Sequence, residues 1–150
     1  MLVKILIFNV IFHAVMAAVY AAFLRGAIEQ HVDEIEVPFK PLLKLSLLAF
    51  LPSLILSTVL VGTGLWQVFP SDTSQQLSRS WIIDVSYFVF LLFGVYQITK
   101  WNFQKHLASL ATALEVSINR VLFSSALKTC LLSPLVIFVT ALVVLPLLSS

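Results

Sequence analysis

Long apolar stretches separated by short polar segments dominate the pattern of this chain. An α-helix needs about 20 apolar residues to cross the hydrocarbon core of a bilayer. Four stretches meet that length, and none shows the strict alternation of a membrane β-strand. They cover residues 2–24, 45–69, 81–99 and 127–148. The pattern predicts an all-α fold, in which residues 1–150 form one integral membrane domain of four membrane-spanning helices.

Two segments between the spans have amphipathic patterns. Residues 26–37 alternate acidic and aliphatic side chains at helical spacing, and residues 107–123 place aliphatic side chains opposite serine, threonine and asparagine. The patterns predict two amphipathic cytoplasmic linkers: a short helix over residues 26–37, and a segment over residues 107–123 that lies along the inner membrane interface. A fifth crossing over residues 107–123 is the alternative, and it would bring Glu115 and Arg120 into the lipid.

The first apolar stretch has a second interpretation, as a cleavable signal peptide. Lys4 supplies a weakly basic start, and the small residues around Val19-Tyr20-Ala21 loosely fit a cleavage site. The stretch is longer than the 7–15 residues typical of a signal peptide. Its length therefore favours a retained membrane span.

Composition supports the membrane interpretation. The chain is 60% hydrophobic and 11% charged with a mean hydropathy of +1.04, whereas soluble domains carry about 25% charged residues. A net charge of +2 argues against a nucleic-acid-binding surface, and one cysteine argues against a disulfide scaffold. We expect neither a soluble domain nor a nucleic-acid partner.

The basic residues predict an orientation. Lysine and arginine concentrate on the cytoplasmic side of membrane proteins. Lys4 and Arg79 belong to the N-terminus and the middle loop, and the other seven basic residues flank the two long loops. These seven are Arg25, Lys40, Lys44, Lys100, Lys105, Arg120 and Lys128. The distribution predicts that both long loops are cytoplasmic and that both termini lie on the opposite side.

The two halves of the chain share several features. These are Val19-Tyr20 with Val95-Tyr96, residues 43–48 with residues 127–132, and the prolines Pro52 and Pro134. The similarity indicates a possible tandem duplication of a two-helix unit, whose copies would be related by an axis along the membrane normal. Chance similarity between apolar helices is the alternative.

Polar residues inside the spans are the candidates for function, because ionisable groups are costly in lipid. Asn9, His13 and Tyr20 fall on one stripe of the first span. His13 could relay a proton, bind a haem iron or accept a hydrogen bond from a lipid; the alternative is a hydrogen bond that packs helices together. Asp84 lies about one turn into the third span, where it pairs with Arg79, snorkels to the membrane interface or marks an ion path.

Lys44 and Lys128 occupy equivalent entry points of the second and fourth spans. Their long side chains are suited to lipid headgroups, either as simple anchors or as a site for an anionic lipid. The acidic segment 29–36 offers metal-capable groups, but only His31 and Glu34 share a helical face. We therefore predict no metal site, no cofactor and no catalytic residue.

The chain also resembles a known family. The matching motifs are Val37-Pro38-Phe39-Lys40, Leu43-Lys44-Leu45-Ser46, Ala49, Pro52, the stretch from Tyr87 to Tyr96, and Ala126-Leu127-Lys128. Over residues 37–148 the chain is similar to Yip-type polytopic membrane proteins, in which a basic residue, a small residue and a span-initial proline recur in this order. The resemblance implies a non-enzymatic helical bundle that acts through lipid or protein partners in membrane organisation or trafficking.

These observations predict a non-enzymatic scaffold or accessory subunit of a membrane protein complex. Its partners would be membrane lipids together with other integral membrane proteins or a second copy of the chain. The alternative is a small transporter or channel with a polar path through Asn9, His13 and Asp84. Such a transporter could be a dimer.

Overall fold

The chain is described here from a computed structural model, and all secondary structure in the described residues is helical. The structure describes residues 2–31, 37–63, 74–114 and 117–149, without the side chains of residues 2, 74–80, 145, 148 and 149. The helices in chain order are α1 (Leu2–Glu29), α2 (Phe39–Gly62), α3 (Ser74–His106), α4 (Ala108–Leu114) and α5 (Ile118–Ser149).

Four of these helices are long and apolar enough to cross a membrane: α1, α2, α3 and α5. Within the described residues, the candidate spans are Val3–Glu29, Phe39–Gly62, Trp81–His106 and Ile118–Val144. The predicted class, an all-α bundle with four candidate membrane spans, is confirmed.

The predicted ends of the spans need correction. α1 continues beyond residue 24 to Glu29, α3 extends beyond 81–99 at both ends, and α5 begins nine residues before 127. A helix outside the lipid still satisfies its own backbone hydrogen bonds, so it need not end where the apolar residues end.

The second span was predicted at 45–69, but α2 begins at Phe39 and ends at Gly62. The Thr63 backbone N–H and hydroxyl both donate to the Val59 carbonyl oxygen, at 2.9 and 2.8 Å. These bonds close the last turn. At the other end, Pro38 takes an extended conformation and Pro41 occupies the first turn, where no backbone donor is required.

The structure divides the predicted linker 107–123. Leu107 separates α3 from α4, and α5 already begins at Ile118. α4 has seven residues, too few for the fifth crossing considered above. In the other linker, residues 26–29 form the last turn of α1, while residues 32–36 lie outside the described residues.

The four long helices form a ring in which α1 and α3 each pack against both α2 and α5. Contacts of Asn9 with Ser57 and of Tyr20 with Phe50 show that α1 and α2 are antiparallel. α1 and α3 therefore occupy opposite corners of the bundle. A tandem duplication would give this arrangement, and the repeat stays a prediction.

Helix direction divides the bundle into two ends. The C-terminal ends of α1 and α3 meet the N-terminal ends of α2 and α5 at what we call the basic end, because Arg25, Lys44, Lys100 and Arg120 lie there. We call the other the Lys4 end.

The interior of the bundle contains several small side chains. Ala17 and Ala21 of α1 are fully buried, and Ala49 and Ser53 of α2 are almost fully buried. Small residues let helix backbones approach closely inside a membrane. Bulky apolar side chains cover the outside of the spans, among them Leu51, Ile55, Val89, Phe93, Leu131, Leu135 and Phe138. Small residues thus lie in the interior beside large buried side chains such as Tyr20 and Phe50, and the exterior is apolar and suited to lipid.

Candidate functional site

A buried hydrogen-bond network near the Lys4 end joins α1 to α2. The Asn9 side-chain amide donates to Ser57 Oγ at 2.9 Å and to Thr58 Oγ1 at 3.0 Å. The Thr58 hydroxyl donates in turn to the Leu54 carbonyl oxygen at 2.7 Å. Both amide hydrogens of Asn9 are therefore used within the protein.

His13 extends this network across the bundle to α3. Its Nδ1 lies 2.9 Å from the Asn9 carbonyl oxygen, and its Nε2 lies 2.9 Å from Tyr87 Oη. Tyr87 Oη also lies 3.4 Å from the Ser53 carbonyl oxygen on α2. We call Asn9, His13, Ser53, Ser57, Thr58 and Tyr87 the polar cluster.

The polar cluster is enclosed by protein. His13 is 3% exposed, and Asn9 and Tyr87 are each 8% exposed. His13 lies about 13 Å along the helix from Lys4 and about 18 Å from Arg25, at a rise of about 1.5 Å per residue. A polar cluster that far from either charged end faces no lipid headgroups when the helix crosses a bilayer.

Tyr20, the third member of the predicted stripe, is fully buried but lies apart from this network. Its ring meets the Phe50 ring edge-on, with centroids 5.9 Å apart. The Tyr20 hydroxyl is buried without a hydrogen-bond partner, and the same holds for the buried Thr99 and Ser125 hydroxyls. Asn9, His13 and Tyr20 therefore share a buried face but not a common set of bonds.

The other predicted site residues are at the surface. Asp84 is exposed on α3, one turn before Tyr87 toward the Lys4 end. Lys44 and Lys128 are exposed on α2 and α5. The structure thus brings Asn9 and His13 together in the interior and leaves these three charged side chains outside it.

Among the described residues, no group of three or more histidine, cysteine, aspartate or glutamate side chains is arranged to hold a metal ion. His31 Nδ1 lies 2.8 Å from the Ala27 carbonyl oxygen, and Glu29 pairs with Arg25 at 2.7 Å. Part of the predicted acidic segment 29–36 lies outside the described residues.

A groove runs between α2 and α3 toward the basic end from the polar cluster. Its volume is about 150 Å³. It is lined by Ala49, Pro52, Ser53, Phe90, Leu91, Gly94, Val95 and Ile98. We call it the α2/α3 groove. A cavity of about this size in an apolar setting accepts a benzene-sized group.

Sequence reasoning missed Tyr87, Ser53 and Ser57 as members of the site. Ser53 and Ser57 are four residues apart on an apolar helix, a spacing that places both hydroxyls on one face. That spacing is only a weak signal, because serine in a helix commonly bonds its own backbone. Tyr87 offered no signal, because its pairing with His13 depends on how α1 and α3 are aligned.

Comparison with known proteins gives no relative. No protein-family model matches the chain, and neither a search of curated proteins nor a search of solved structures found a match. The resemblance to Yip-type proteins therefore stays a prediction.

Proposed function

We propose that this chain is a non-enzymatic scaffold or accessory subunit of a membrane protein complex, and that a transmembrane helix of its partner packs in the α2/α3 groove. The observation that carries the proposal is the groove itself. Ala49 and Gly94 are the small residues in it, and the larger Phe90 and Ile98 flank them.

The chemistry of the groove fits a helix better than it fits a polar substrate. A Cβ atom added at Gly94 would meet no heavy atom within 4 Å, so the space beside this backbone is open. On α2 the space is lined by Ala49 and Ser53, whose side chains are almost fully buried within the bundle. A leucine or phenylalanine side chain of a partner helix would fill a space of this size.

The polar cluster supports a structural role for the interior. Asn9 bonds both Ser57 and Thr58, and His13 bonds Tyr87. Hydrogen bonds between membrane helices contribute about 0.6 kcal/mol on average and up to about 1.7 kcal/mol each. In this interpretation the interior holds the four spans together while the exterior meets lipid and the partner.

Two further parts of the proposal come from the sequence. The basic end faces the cytoplasm, since helix direction gathers basic residues there and cytoplasmic loops are enriched in them. Lys44 and Lys128 then lie where long side chains reach anionic lipid headgroups. The Yip-type resemblance agrees with a role in membrane organisation through lipid and protein partners.

A small transporter or channel is the second candidate. The observation that favours it is the burial of an ionisable side chain, His13, deep in the bundle with a Tyr87 partner. Asn9 lies beside it, and Asp84 would be the outer member of such a path.

Filling the groove tests the accessory function. We expect Gly94→Leu to lower recovery of co-purifying integral membrane chains about tenfold, which is the loss of about 1.4 kcal/mol of contact energy. Val89→Leu is the matched control, because Val89 is 46% exposed on another face of α3. The measurement is quantitative mass spectrometry of complexes extracted in native lipid discs, with the melting temperature of each variant.

A partner retained by Val89→Leu and lost by Gly94→Leu, with both variants folded, supports the proposal; loss of a second copy of the chain identifies self-association. Equal recovery from both variants contradicts it. The transporter would be favoured instead if the protein transports a solute into proteoliposomes and His13→Ala and Asp84→Ala abolish this transport while the co-purifying chains are retained.

A further inference from the structure

The hydrogen bonds of His13 fix its neutral tautomer. Its Nδ1 lies 2.9 Å from the Asn9 carbonyl oxygen, and a carbonyl oxygen only accepts, so Nδ1 must carry a hydrogen. A neutral imidazole has a single N–H. Its Nε2 is therefore the acceptor, and the Tyr87 hydroxyl donates to it at 2.9 Å.

Tyr87 has a second acceptor within reach. Its Oη lies 3.4 Å from the Ser53 carbonyl oxygen, which has two lone pairs and can accept this bond beside its own helical one. A phenol carries one hydrogen, so the Tyr87 hydroxyl cannot donate to His13 and to the Ser53 carbonyl oxygen at the same time. At 3.4 Å the Ser53 contact is longer than an optimal O–H···O bond, as expected while the hydrogen points at His13.

We propose that His13 is a proton-binding site in the middle of the bundle, and that proton uptake turns the Tyr87 hydroxyl from His13 to the Ser53 carbonyl oxygen. The added proton forms an N–H bond at Nε2, which then donates to Tyr87 Oη. The phenol O–H bond remains intact and only rotates. Every N–H and O–H of the pair is partnered in both charge states.

The groups on the neighbouring helices make His13 the residue of the polar cluster that binds the proton. From α2 the cluster receives only the hydroxyls of Ser53, Ser57 and Thr58 and the backbone. Among the described side chains of α3, the ionisable groups within one turn of the cluster are Tyr87 itself and the exposed Asp84. α5 contributes the buried Cys130 thiol, and α1 carries Tyr20 two turns further along.

The fold also indicates the side from which the proton arrives. Asn9, Ser57 and Thr58 line the Lys4 side of His13 with amide and hydroxyl groups. Toward the basic end, the fully buried Met16 and Ala17 follow within about one helical turn. The polar side chains next to His13 therefore lie on its Lys4 side, and we expect the proton to arrive from there.

Proton uptake also couples α3 to α2. The Ser53 carbonyl follows Pro52, whose missing N–H removes one backbone bond from this part of α2. Ser53 and Pro52 both line the α2/α3 groove. A Tyr87–Ser53 bond would therefore shorten the distance between the two walls at one end of this groove. This inference stands whether or not a partner occupies the groove.

The test is ¹⁵N NMR of the full chain, labelled at histidine, in lipid nanodiscs. The chain has three histidines, and the exposed His31 and His106 serve as internal references. At alkaline pH we expect His13 to show the Nδ1–H tautomer. On acidification it gains a second N–H while the protein stays folded.

Tyr87→Phe removes the acceptor for the new N–H. Bonds to charged groups are about twice as strong as neutral ones, so the His13 titration midpoint should fall by about one pH unit. Tyr96→Phe is the matched control, because the Tyr96 hydroxyl donates to Asn119, away from His13. It should leave the midpoint unchanged.

Three results would overturn the proposal. They are an Nε2–H tautomer at alkaline pH, unfolding of the protein before His13 gains its proton, and an equal midpoint in wild type and Tyr87→Phe. The tautomer and the proton uptake are both read in the wild-type protein, so a Tyr87→Phe variant that fails to fold leaves those measurements decisive.

Discussion

Tyr20→Ala is expected to destabilise the bundle by about 3 kcal/mol, because it leaves a cavity where a fully buried ring packs against Phe50. Lipid cannot fill that space without separating α1 from its neighbours. The measurement is equilibrium unfolding of the purified protein in mixed micelles by increasing SDS, followed by tryptophan fluorescence and circular dichroism.

Tyr20→Phe is the matched control at the same position. The Tyr20 hydroxyl is buried without a hydrogen-bond partner, so its removal costs no bond and relieves the burial of a polar group. We expect stability to be unchanged or higher by up to about 1 kcal/mol. A loss of more than about 1 kcal/mol in Tyr20→Phe would show that this hydroxyl is bonded after all. A small effect of Tyr20→Ala would show that the ring is not packed.

Ala21→Leu is expected to cost about 3 kcal/mol, at the upper end for overpacking a core. Ala21 is fully buried on α1, the helix that packs against both α2 and α5. Three additional carbon atoms at that position force the backbones apart along the helix. The same SDS titration measures the effect.

Ala22→Leu supplies the control for this overpacking experiment. Ala22 is the next residue along the helix and is exposed, so its leucine would extend into lipid or detergent. Alanine and leucine have similar helix propensities, and we expect a change within about 0.5 kcal/mol. Equal effects of Ala21→Leu and Ala22→Leu would contradict the position of α1 in the ring.

The positions of the spans could be predicted from the sequence, because a helix in lipid requires a long apolar stretch. The ends of the helices were predicted less well. α3 begins at Ser74 and α5 at Ile118, well outside the predicted limits, since a helix keeps its backbone satisfied after it leaves the apolar phase. The limits drawn from sequence follow the apolar stretch of each span, and the helices of the structure do not end where those stretches end.

Only some members of the polar cluster could be predicted from the sequence. Asn9 and His13 stand out because amide and imidazole groups are rare inside apolar helices. Ser53 and Ser57 do not, because serine in a helix commonly bonds its own backbone, as Ser53 does with Phe50. Which side chain meets His13 depends on the alignment of α1 with α3, which is a property of packing and not of either helix alone.

The most direct test of the account is the sidedness of the ends of the four spans. Single cysteines replace exposed residues in a Cys130→Ser background, at Lys4, His31, Thr63, His106 and Leu147. Sealed vesicles are then treated with a membrane-impermeant maleimide from one side at a time. The four-span bundle requires labelling at 4, 63 and 147 from one side and at 31 and 106 from the other. Labelling of all five from the same side would contradict it.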